Sequence, residues 1–272
     1  MPAGSGTAAA SGTGQARPAR LTAAQQTLFG LSAAAAAVPR PSGRYVVLRE
    51  KAFTANAGSS ETGGKTSVID TVTGGGLEYQ DITVSGESGT PAPPAVLKTA
   101  PGTSPAVKQL DAMPTTTGGL RAVLLAQAKQ QQVQADQFRQ EKLKLERQQH
   151  PGSPVPLVRG PQPTDDDLVF EQAADLLWEP HLSPALRSAL YQVLAATPGV
   201  TVKPGAADSS GRPAVEISRV DTVGKTDVQT FENPKTGATL ESAWRQASGA
   251  FDEDLYLSIS YTNVIPPDPY QG

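Results

Sequence analysis

The chain has 272 residues, of which 26 are glycine and 24 are proline, and only 5% are aromatic. This composition predicts one core with long turns and loops rather than a wholly disordered protein. The net charge of −3 argues against nucleic-acid binding, which needs a concentrated basic face, and the absence of cysteine excludes disulfides, thiolate metal sites and thiol nucleophiles.

The N-terminal region predicts a disordered leader over residues 1–20 and then a helix over Leu21–Val38, ended by Pro39 and Pro41. The apolar run Leu28–Val38 is shorter than the roughly 20 residues that a membrane span requires. A cleaved signal peptide is the alternative for this run, but an amphipathic first helix fits it better. We therefore expect no membrane-spanning segment in this chain.

Three strands follow, predicted over Gly43–Phe53, Thr66–Val72 and Leu77–Val84 from their alternating, β-branched pattern. The short Gly-bearing loops between them predict an antiparallel meander. The Pro-, Gly- and Thr-rich stretch that comes next predicts a flexible insertion over about 86–112.

Helices occupy the middle of the chain. The first is predicted over Gly119–Gln149, and its second half, from Lys129, has only a thin apolar stripe. A flexible insertion over 150–163 separates it from a helix that begins after Thr164 and ends at Trp178. Ser183 and Pro184 then open another helix as its capping residue and first-turn proline.

The period changes to two after this helical region, which predicts a second antiparallel meander. Its strands are predicted over Val200–Lys203, Ala214–Val220, Thr226–Glu232, Thr239–Trp244 and Leu255–Ile265. Strands, helices and strands in this order indicate the α+β class, with helices packed on one face of a curved sheet. We expect one domain over 21–267, followed by a tail over 268–272.

A segment from Ser59 to Thr66 comes within one residue of a phosphate-binding loop. Such a loop needs Gly or Ala in its first position and a helix after it, whose amides face the phosphate. Here Ser59 takes the first position and a strand-like sequence follows. Nucleotide binding is therefore disfavoured, and no cofactor is predicted.

The chain has two histidines, His150 in the proline-rich linker and His181 in the connection between two helices. A hydrolase with Ser183 as nucleophile and His181 as base is conceivable. Ser183 is better explained as a helix cap, and no acid is placed to orient the ring. We predict no catalytic residues and no enzyme activity.

Two acidic runs, 165–167 and 252–254, could supply oxygen ligands to a hard cation. Neither has the alternating ligand spacing of a calcium loop. The first run suits the positive end of a helix dipole, and the second suits a charged turn before a strand. No metal site is predicted, and Trp178 and Trp244 are interpreted as core anchors.

Several segments occur in a characteristic order. They are Gly43–Val47, Ser67–Asp70, Met113–Leu120, Phe170–Trp178, Leu182–Leu194, Pro198–Val200, Asp208–Arg212 and Asn233–Gly237. As an ordered set over about 21–267, they resemble an actinobacterial family of envelope proteins, generally single-pass, found beside extracytoplasmic-function sigma factors. This chain departs from the family pattern in lacking the membrane helix, and in having Asn233 where Asp is more usual.

The resemblance implies a fold similar to the lipoprotein carrier LolA and to the N-terminal domain of RseB. That fold is a half-open antiparallel barrel with helices on its concave face. The resemblance also implies an extracytoplasmic location in the cell envelope, with anchoring by a membrane helix absent from this chain, and no enzyme activity.

Two functions are compatible with these patterns. The first is a binding or sensing module whose cavity accepts a lipid or other apolar group. The predicted cavity lining is apolar: Tyr45, Val47, Ile69, Tyr79, Leu176, Leu190, Tyr191, Ile217 and Phe231. The alternative is a protein-interaction module that uses the long helix around Gln127–Gln149 to dock a sigma or anti-sigma partner.

Overall fold

A computed structural model describes residues 20–55, 64–74, 77–85, 95–97, 107–149, 162–221, 223 and 226–264. The protein is an α+β structure with an antiparallel sheet, as predicted. The helices are α1 (Ala23–Ala37), α2 (Val107–Asp111), α3 (Thr117–Gln149), α4 (Asp165–Leu177) and α5 (Pro184–Ala196). The strands are β1 (Tyr45–Ala55), β2 (Lys65–Gly74), β3 (Leu77–Ser85), β4 (Ala95–Leu97), β5 (Thr201–Ala207), β6 (Pro213–Val220), β7 (Thr226–Glu232), β8 (Thr239–Gln246) and β9 (Phe251–Thr262).

Both predicted meanders are present, and they join into a single sheet with the order β4-β3-β2-β1-β9-β8-β7-β6-β5. The junction is the antiparallel pairing of β1 with β9, which brings Tyr45 opposite Thr262. The sheet is not closed into a barrel, and β4 and β5 form its edges within the described chain. A bulge in the pairing at Arg49 and Glu50 interrupts the regular register of the junction.

The helix starts follow from local side-chain chemistry. Thr22 and Gln25 form a reciprocal capping box at the start of α1, and Thr164 and Asp167 form another at the start of α4. Ser183 accepts a hydrogen bond from the Leu186 amide at 3.2 Å, and Pro184 occupies the first turn of α5. The predicted capping roles of Thr164 and Ser183 are therefore confirmed.

The main core lies between the helices and strands β6 and β7. It contains Leu28 and Leu31 of α1, Phe170 of α4, most of the apolar side of α5, and Ile217 of β6. A second cluster packs Val46 and Leu48 of β1 with Tyr256 of β9, and Trp178 lies against it. The helices therefore cover the face of the sheet that carries these strand residues.

Two short elements lie inside the range predicted as an insertion, 86–112. Strand β4 pairs with β3, and helix α2 carries Leu110, which is 2% exposed in the main core. Some segments lie outside the described residues: 1–19, 56–63, 75–76, 86–94, 98–106, 150–161, 222, 224–225 and 265–272. They include most of the segment from Ser59 to Thr66 that resembles a phosphate-binding loop. Within the described residues, no helix is long and apolar enough to cross a membrane.

Gly237 supports a close approach between the β7–β8 turn and two helices. Its φ of +61° is in the left-handed region, and a Cβ there would lie 3.1 Å from each of Ala35 Cβ, the Leu31 carbonyl oxygen and the Tyr191 ring. We expect Gly237→Ala to lower the free energy of unfolding by about 2–3 kcal/mol, since backbone strain and crowding add. Urea denaturation measures this loss.

Gly211→Ala is the matched control for this prediction. Gly211 also has a positive φ, +81°, but a Cβ there would meet nothing within 4 Å. Its replacement should therefore cost only the backbone strain, about 1 kcal/mol. Equal losses for the two variants would contradict the role assigned to close packing at Gly237.

Candidate functional site

Four of the predicted lining residues lie in or against the main core. Leu190, Tyr191 and Ile217 are each 0% exposed, and Leu176 is half-buried against the same cluster. Their side chains fill the space between α5, α4 and strand β6. These residues therefore pack against one another as core.

The other predicted lining residues do not share one face of the sheet. Val46 pairs with Thr73, whose hydroxyl contacts His181 in the α4–α5 connection, so Val46 faces the helices. Tyr45 and Val47 alternate with Val46 and lie on the opposite face. Ile69 pairs with Glu50 and therefore lies on the helix-covered face.

Phe231 is also on the face away from the helices, because its neighbour Thr230 pairs with core residue Ile217. Tyr79 of β3 pairs with Val72 of β2. The Tyr79 side chain lies outside the described part of the structure. The described lining residues of the strands are thus divided between the two faces of the sheet. The apolar cavity proposed for them remains a prediction.

The described residues form surface grooves whose linings differ from the predicted set. A groove of about 300 Å³ lies between the start of α1 and the end of α5, around Gln25, Thr197 and Pro198. A larger groove of about 580 Å³ lies between α2, α3 and α4. Its lining consists of amides, acids and a small apolar set: Gln109, Gln127, Gln130, Gln131, Gln134, Gln172, Asp175, Glu179, Leu110, Met113 and Leu176.

The larger groove, which we name the α3–α4 groove, is rich in hydrogen-bonding groups. The Gln172 side-chain amide donates a hydrogen bond to the side-chain oxygen Oε1 of Gln131 at 2.8 Å across it. Leu176 is the one predicted lining residue found there, beside Leu110 and Met113. The groove therefore has apolar patches surrounded by neutral amides and two carboxylates.

The core contains a buried carboxyl group that was not predicted from the sequence. Glu232 is 0% exposed, and its Oε2 lies 2.9 Å from the Tyr191 hydroxyl, which lies 2.7 Å from the Gly237 carbonyl oxygen. A hydroxyl has one proton and a carbonyl only accepts. Both contacts are satisfied together when Glu232 is protonated and donates to the tyrosine oxygen.

The electrostatics of this site agree with a proton on Glu232. Burial raises the pKa of Glu232 to about 7, although the nearby Arg187 charge acts in the opposite direction. Arg187 donates to the Leu177 carbonyl oxygen at 2.8 Å, and Thr239 donates to the same oxygen at 2.9 Å. The network therefore ties the end of α4 to α5 and the β7–β8 turn.

The first acidic run forms ion pairs at the start of α4. Asp165 lies 2.9 Å from Lys129, Asp166 lies 2.5 Å from Arg121, and Asp167 accepts two hydrogen bonds from Arg219 at 2.6 and 2.9 Å. Burial acts to raise the pKa of Asp167, but hydrogen bonds from Thr164 and Arg219 outweigh it and lower the pKa. These three carboxylates thus stabilise the helix start and its packing.

The second acidic run differs from its prediction. Asp252, Glu253 and Asp254 lie within β9, which begins at Phe251, instead of in a turn before it. Their backbones pair with β1 and β8 on either side, and the pairing extends the strand. Successive residues point to opposite faces, so the three carboxylates do not converge. Among the described residues, no three His, Asp or Glu side chains are grouped to hold a metal ion.

His181 is held in the connection between α4 and α5. Its Nε2 lies 2.9 Å from the Thr73 hydroxyl, and burial and the Arg40 charge lower its pKa. His150, the other histidine, lies outside the described residues.

The same connection is fixed to the sheet by aromatic residues. Trp178 stacks on Tyr256 with ring centroids 3.6 Å apart, and the Tyr256 hydroxyl donates to the Trp178 carbonyl oxygen at 2.5 Å. The Tyr261 hydroxyl donates to the Pro180 carbonyl oxygen at 2.7 Å. Trp178 therefore packs as an anchor, and Trp244 packs against the main core.

Two half-buried carboxylates lie on the same sheet face as this anchor. Burial raises the pKa of Glu50 to about 7, and the nearby Asp254 charge contributes. Burial also raises the pKa of Asp254 to about 6, together with the charges of Asp252 and Glu253. These groups can therefore exchange protons near neutral pH.

The long helix α3 has the most exposed apolar surface of the helical part. Its first half is buried through Leu120, Leu124 and Ala128, whereas Phe138 is 71% exposed and Leu145 is 54% exposed. Val133 is also exposed, at 56%. We name residues 129–149 the distal half of α3; its apolar stripe was visible in the sequence.

The chain matches no protein-family model, and a comparison with curated proteins finds none that is significantly similar to it.

Proposed function

We propose that this chain is a non-catalytic protein-interaction module that docks a partner through the distal half of α3. The observation that carries this proposal is the exposure of Phe138 and Leu145 on a helix that extends beyond the core. Most helical stability in proteins comes from tertiary packing, and an exposed large aromatic side chain gains free energy when a partner covers it. Protein interfaces are enriched in such residues.

We extend the proposal to location and partner class on the basis of the family resemblance alone. In this proposal the chain acts outside the cytoplasmic membrane and reports envelope state to a sigma or anti-sigma regulatory protein. The sheet would then have the half-open curvature of LolA and RseB. An open antiparallel sheet with helices on one face is compatible with that arrangement.

Site-specific photo-crosslinking tests the docking surface. A benzophenone amino acid in place of Phe138, and in a separate variant in place of Leu145, is expected to form a covalent adduct with a protein partner in the cells that make this chain. The same substitution at Lys235, an exposed residue of the β7–β8 turn, is the control and should form none. Mass spectrometry of the adduct identifies the partner, and its reconstitution from purified components confirms it.

The docking proposal fails if Phe138 and Leu145 positions give no more adduct than Lys235. Such a result would leave the distal half of α3 as a solvated helix. An adduct that forms equally at all three positions would indicate unspecific contact and would also contradict the proposal.

An apolar-ligand function is a second proposal, favoured by the apolar patches of the α3–α4 groove at Leu110, Met113 and Leu176. Native mass spectrometry of gently purified protein, followed by organic extraction, tests it. A bound mass released as a lipid would support it. A ligand-free mass, unchanged after incubation with envelope lipids, would contradict it.

A further inference from the structure

The two helical walls of the α3–α4 groove differ in charge. The α3 wall is neutral and consists of glutamines that follow one another along one side of the helix: Gln127, Gln130, Gln131 and Gln134. The α4 wall carries Gln172, Asp175 and Glu179, spaced by about one turn. Among the described lining residues there is no lysine, arginine or histidine. The groove therefore has a net negative charge along one side.

The carboxylates of α4 lie close enough to repel one another. Glu171 and Asp175 are one turn apart, and like charges in this position destabilise a helix. Burial raises the pKa of Glu171 to about 7, and the charges of Asp221 and Asp175 contribute. Burial also raises the pKa of Asp175 to about 6. A cation bound beside Asp175 would relieve both effects, so the charge pattern favours a cationic occupant.

The nearest cations on α3 are paired at the other end of α4. Lys129 lies 2.9 Å from Asp165, and Arg121 lies 2.5 Å from Asp166. With a rise of about 1.5 Å per residue, these pairs lie about 14 Å along the helix from Asp175. They therefore do not supply the charge that the α4 wall of the groove favours.

We propose that the α3–α4 groove binds an extended segment of the docked partner, through the backbone of that segment and one basic side chain beside Asp175. This inference rests on the proposed docking function and states the chemistry of the partner. Gln134 lies one turn before Phe138 on the same side of α3. A partner that covers Phe138 therefore reaches the groove.

The glutamines of the groove suit a peptide backbone. Each side-chain amide has one accepting oxygen and two donor hydrogens, which match the carbonyl and N–H groups of an extended chain. Gln131 and Gln172 already pair in this way, at 2.8 Å. From Gln127 to Gln134 the α3 wall extends about 10 Å, which is the length of about three extended residues. The groove thus has the polarity and the length for a short strand-like segment.

The apolar part of the groove is small. Leu110 is 2% exposed, so Met113 and Leu176, which pack against the main core, supply the accessible apolar surface. An acyl chain would cover amides and carboxylates without replacing their hydrogen bonds to water, which costs free energy. A peptide replaces these bonds with its own polar groups, and one of its apolar side chains can pack against Met113 and Leu176. These features favour a peptide over a lipid in this groove.

An NMR titration of the isotope-labelled full chain with the peptide Ac-Leu-Ala-Lys-Ala-Leu-NH2 tests the inference. Alternate side chains of an extended peptide share one side, so leucines on both sides of the lysine serve either chain direction. We expect the side-chain amide signals of the lining glutamines to shift, with a Kd of about 1 mM or lower. The same peptide with glutamate in place of lysine should bind about tenfold more weakly. No shift of these signals with up to about 10 mM of the lysine peptide overturns the inference.

Asp175→Asn should weaken binding of the lysine peptide about fivefold or more, because it removes the counter-charge. Asp165→Asn is the matched control, since Asp165 lies on the same helix and pairs with Lys129. It should leave the Kd within about twofold of the original. Asp175→Lys should reverse the preference toward the glutamate peptide. An unchanged Kd for Asp175→Asn overturns the role of this carboxylate, and circular dichroism of each variant checks the fold.

The amide wall is tested separately. The double variant Gln130→Ala/Gln134→Ala should weaken the lysine peptide about threefold or more, since it removes two hydrogen-bonding groups. Gln137→Ala/Gln140→Ala changes the same residue types on α3 outside the groove and should have no effect. n-Butylamine presents the cation without a peptide backbone and should bind about tenfold more weakly than the peptide. Equal affinities for n-butylamine and the peptide overturn recognition of the backbone.

Further outcomes separate this inference from the functions proposed above. Octyl glucoside that shifts the Met113 and Leu176 methyl signals, in a chain that does not bind the peptide, overturns the inference and supports an apolar ligand. An adduct at Phe138 without peptide binding in the groove overturns the inference and leaves the docking function standing. Peptide binding without an adduct at Phe138 or Leu145 overturns docking through the distal half of α3 and leaves the groove as a peptide site.

Discussion

Asp167→Ala is expected to lower the free energy of unfolding by about 3–5 kcal/mol, because it leaves a buried guanidinium without its counter-charge. The Asp167 side chain is 1% exposed and that of Arg219 is 10% exposed. Asp167 also accepts hydrogen bonds from the Thr164 amide and hydroxyl, at 2.8 and 2.6 Å. The substitution therefore removes an ion pair and a helix cap at once, and urea denaturation at neutral pH measures the loss.

Asp165→Ala is the matched control for this prediction. Asp165 lies in the same helical turn and pairs with Lys129, but both side chains are more than half exposed. Its loss should cost less than about 1 kcal/mol, because exposed ion pairs contribute little. The double variant Asp167→Leu/Arg219→Met should be more stable than Asp167→Ala, since it leaves no buried charge unpaired. Similar losses for Asp165→Ala and Asp167→Ala would contradict the assigned role.

Glu232→Gln is expected to increase stability at alkaline pH and to leave it nearly unchanged at acidic pH. The pKa of Glu232 is raised from about 4.5 to about 7, so the folded protein binds a proton that the unfolded chain releases between these values. Stability therefore falls as pH rises through this window, by about 3 kcal/mol for such a shift. Glutamine keeps a donor to the Tyr191 oxygen and never ionises, so it removes this contribution.

The measurement is the difference in unfolding free energy between the original chain and the variant at about pH 5 and about pH 8. A difference is required because burial also raises the pKa values of Glu50, Glu171 and Asp254, which titrate in the same direction. Glu216→Gln is the control, since Glu216 lies half-buried beside Lys203 on the neighbouring strand. A Glu232→Gln variant that retains the full pH dependence would contradict a protonated Glu232.

The four longer helices, α1, α3, α4 and α5, and both meanders were predictable because their signals are local, whereas α2 lies in a range predicted as an insertion. The capping residues Thr164 and Ser183 precede their helices directly, and strand β7 was predicted with its observed bounds. The junction between β1 and β9 was not predicted, because residues far apart in the sequence form it and no local pattern marks it. The short strand β4 lies in a Pro-rich stretch where turn residues dominate the signal.

The main uncertainty at the site was which face of each strand meets the helices. Both faces of β1 are apolar, since Val46 and Leu48 alternate with Tyr45 and Val47. Hydrophobicity alone therefore could not show which face meets the helices. In β7, the sequence pattern predicted that Phe231 faces the helices. The residue that faces them is its neighbour Glu232, which is buried and hydrogen-bonded to Tyr191. A buried acid that is satisfied by a distant hydroxyl has no signature in sequence spacing.

The junction of the two meanders has a consequence for the chain as it is synthesised. Strand β1 emerges from the ribosome early, but β9, its partner on one side, is among the last described segments to be made. Until then that edge of β1 has no partner strand, and such an edge can pair with another nascent chain. The consecutive charges Arg49, Glu50 and Lys51 lie in the middle of this edge. They make premature pairing unfavourable, so the charged centre of this edge protects the sheet during synthesis.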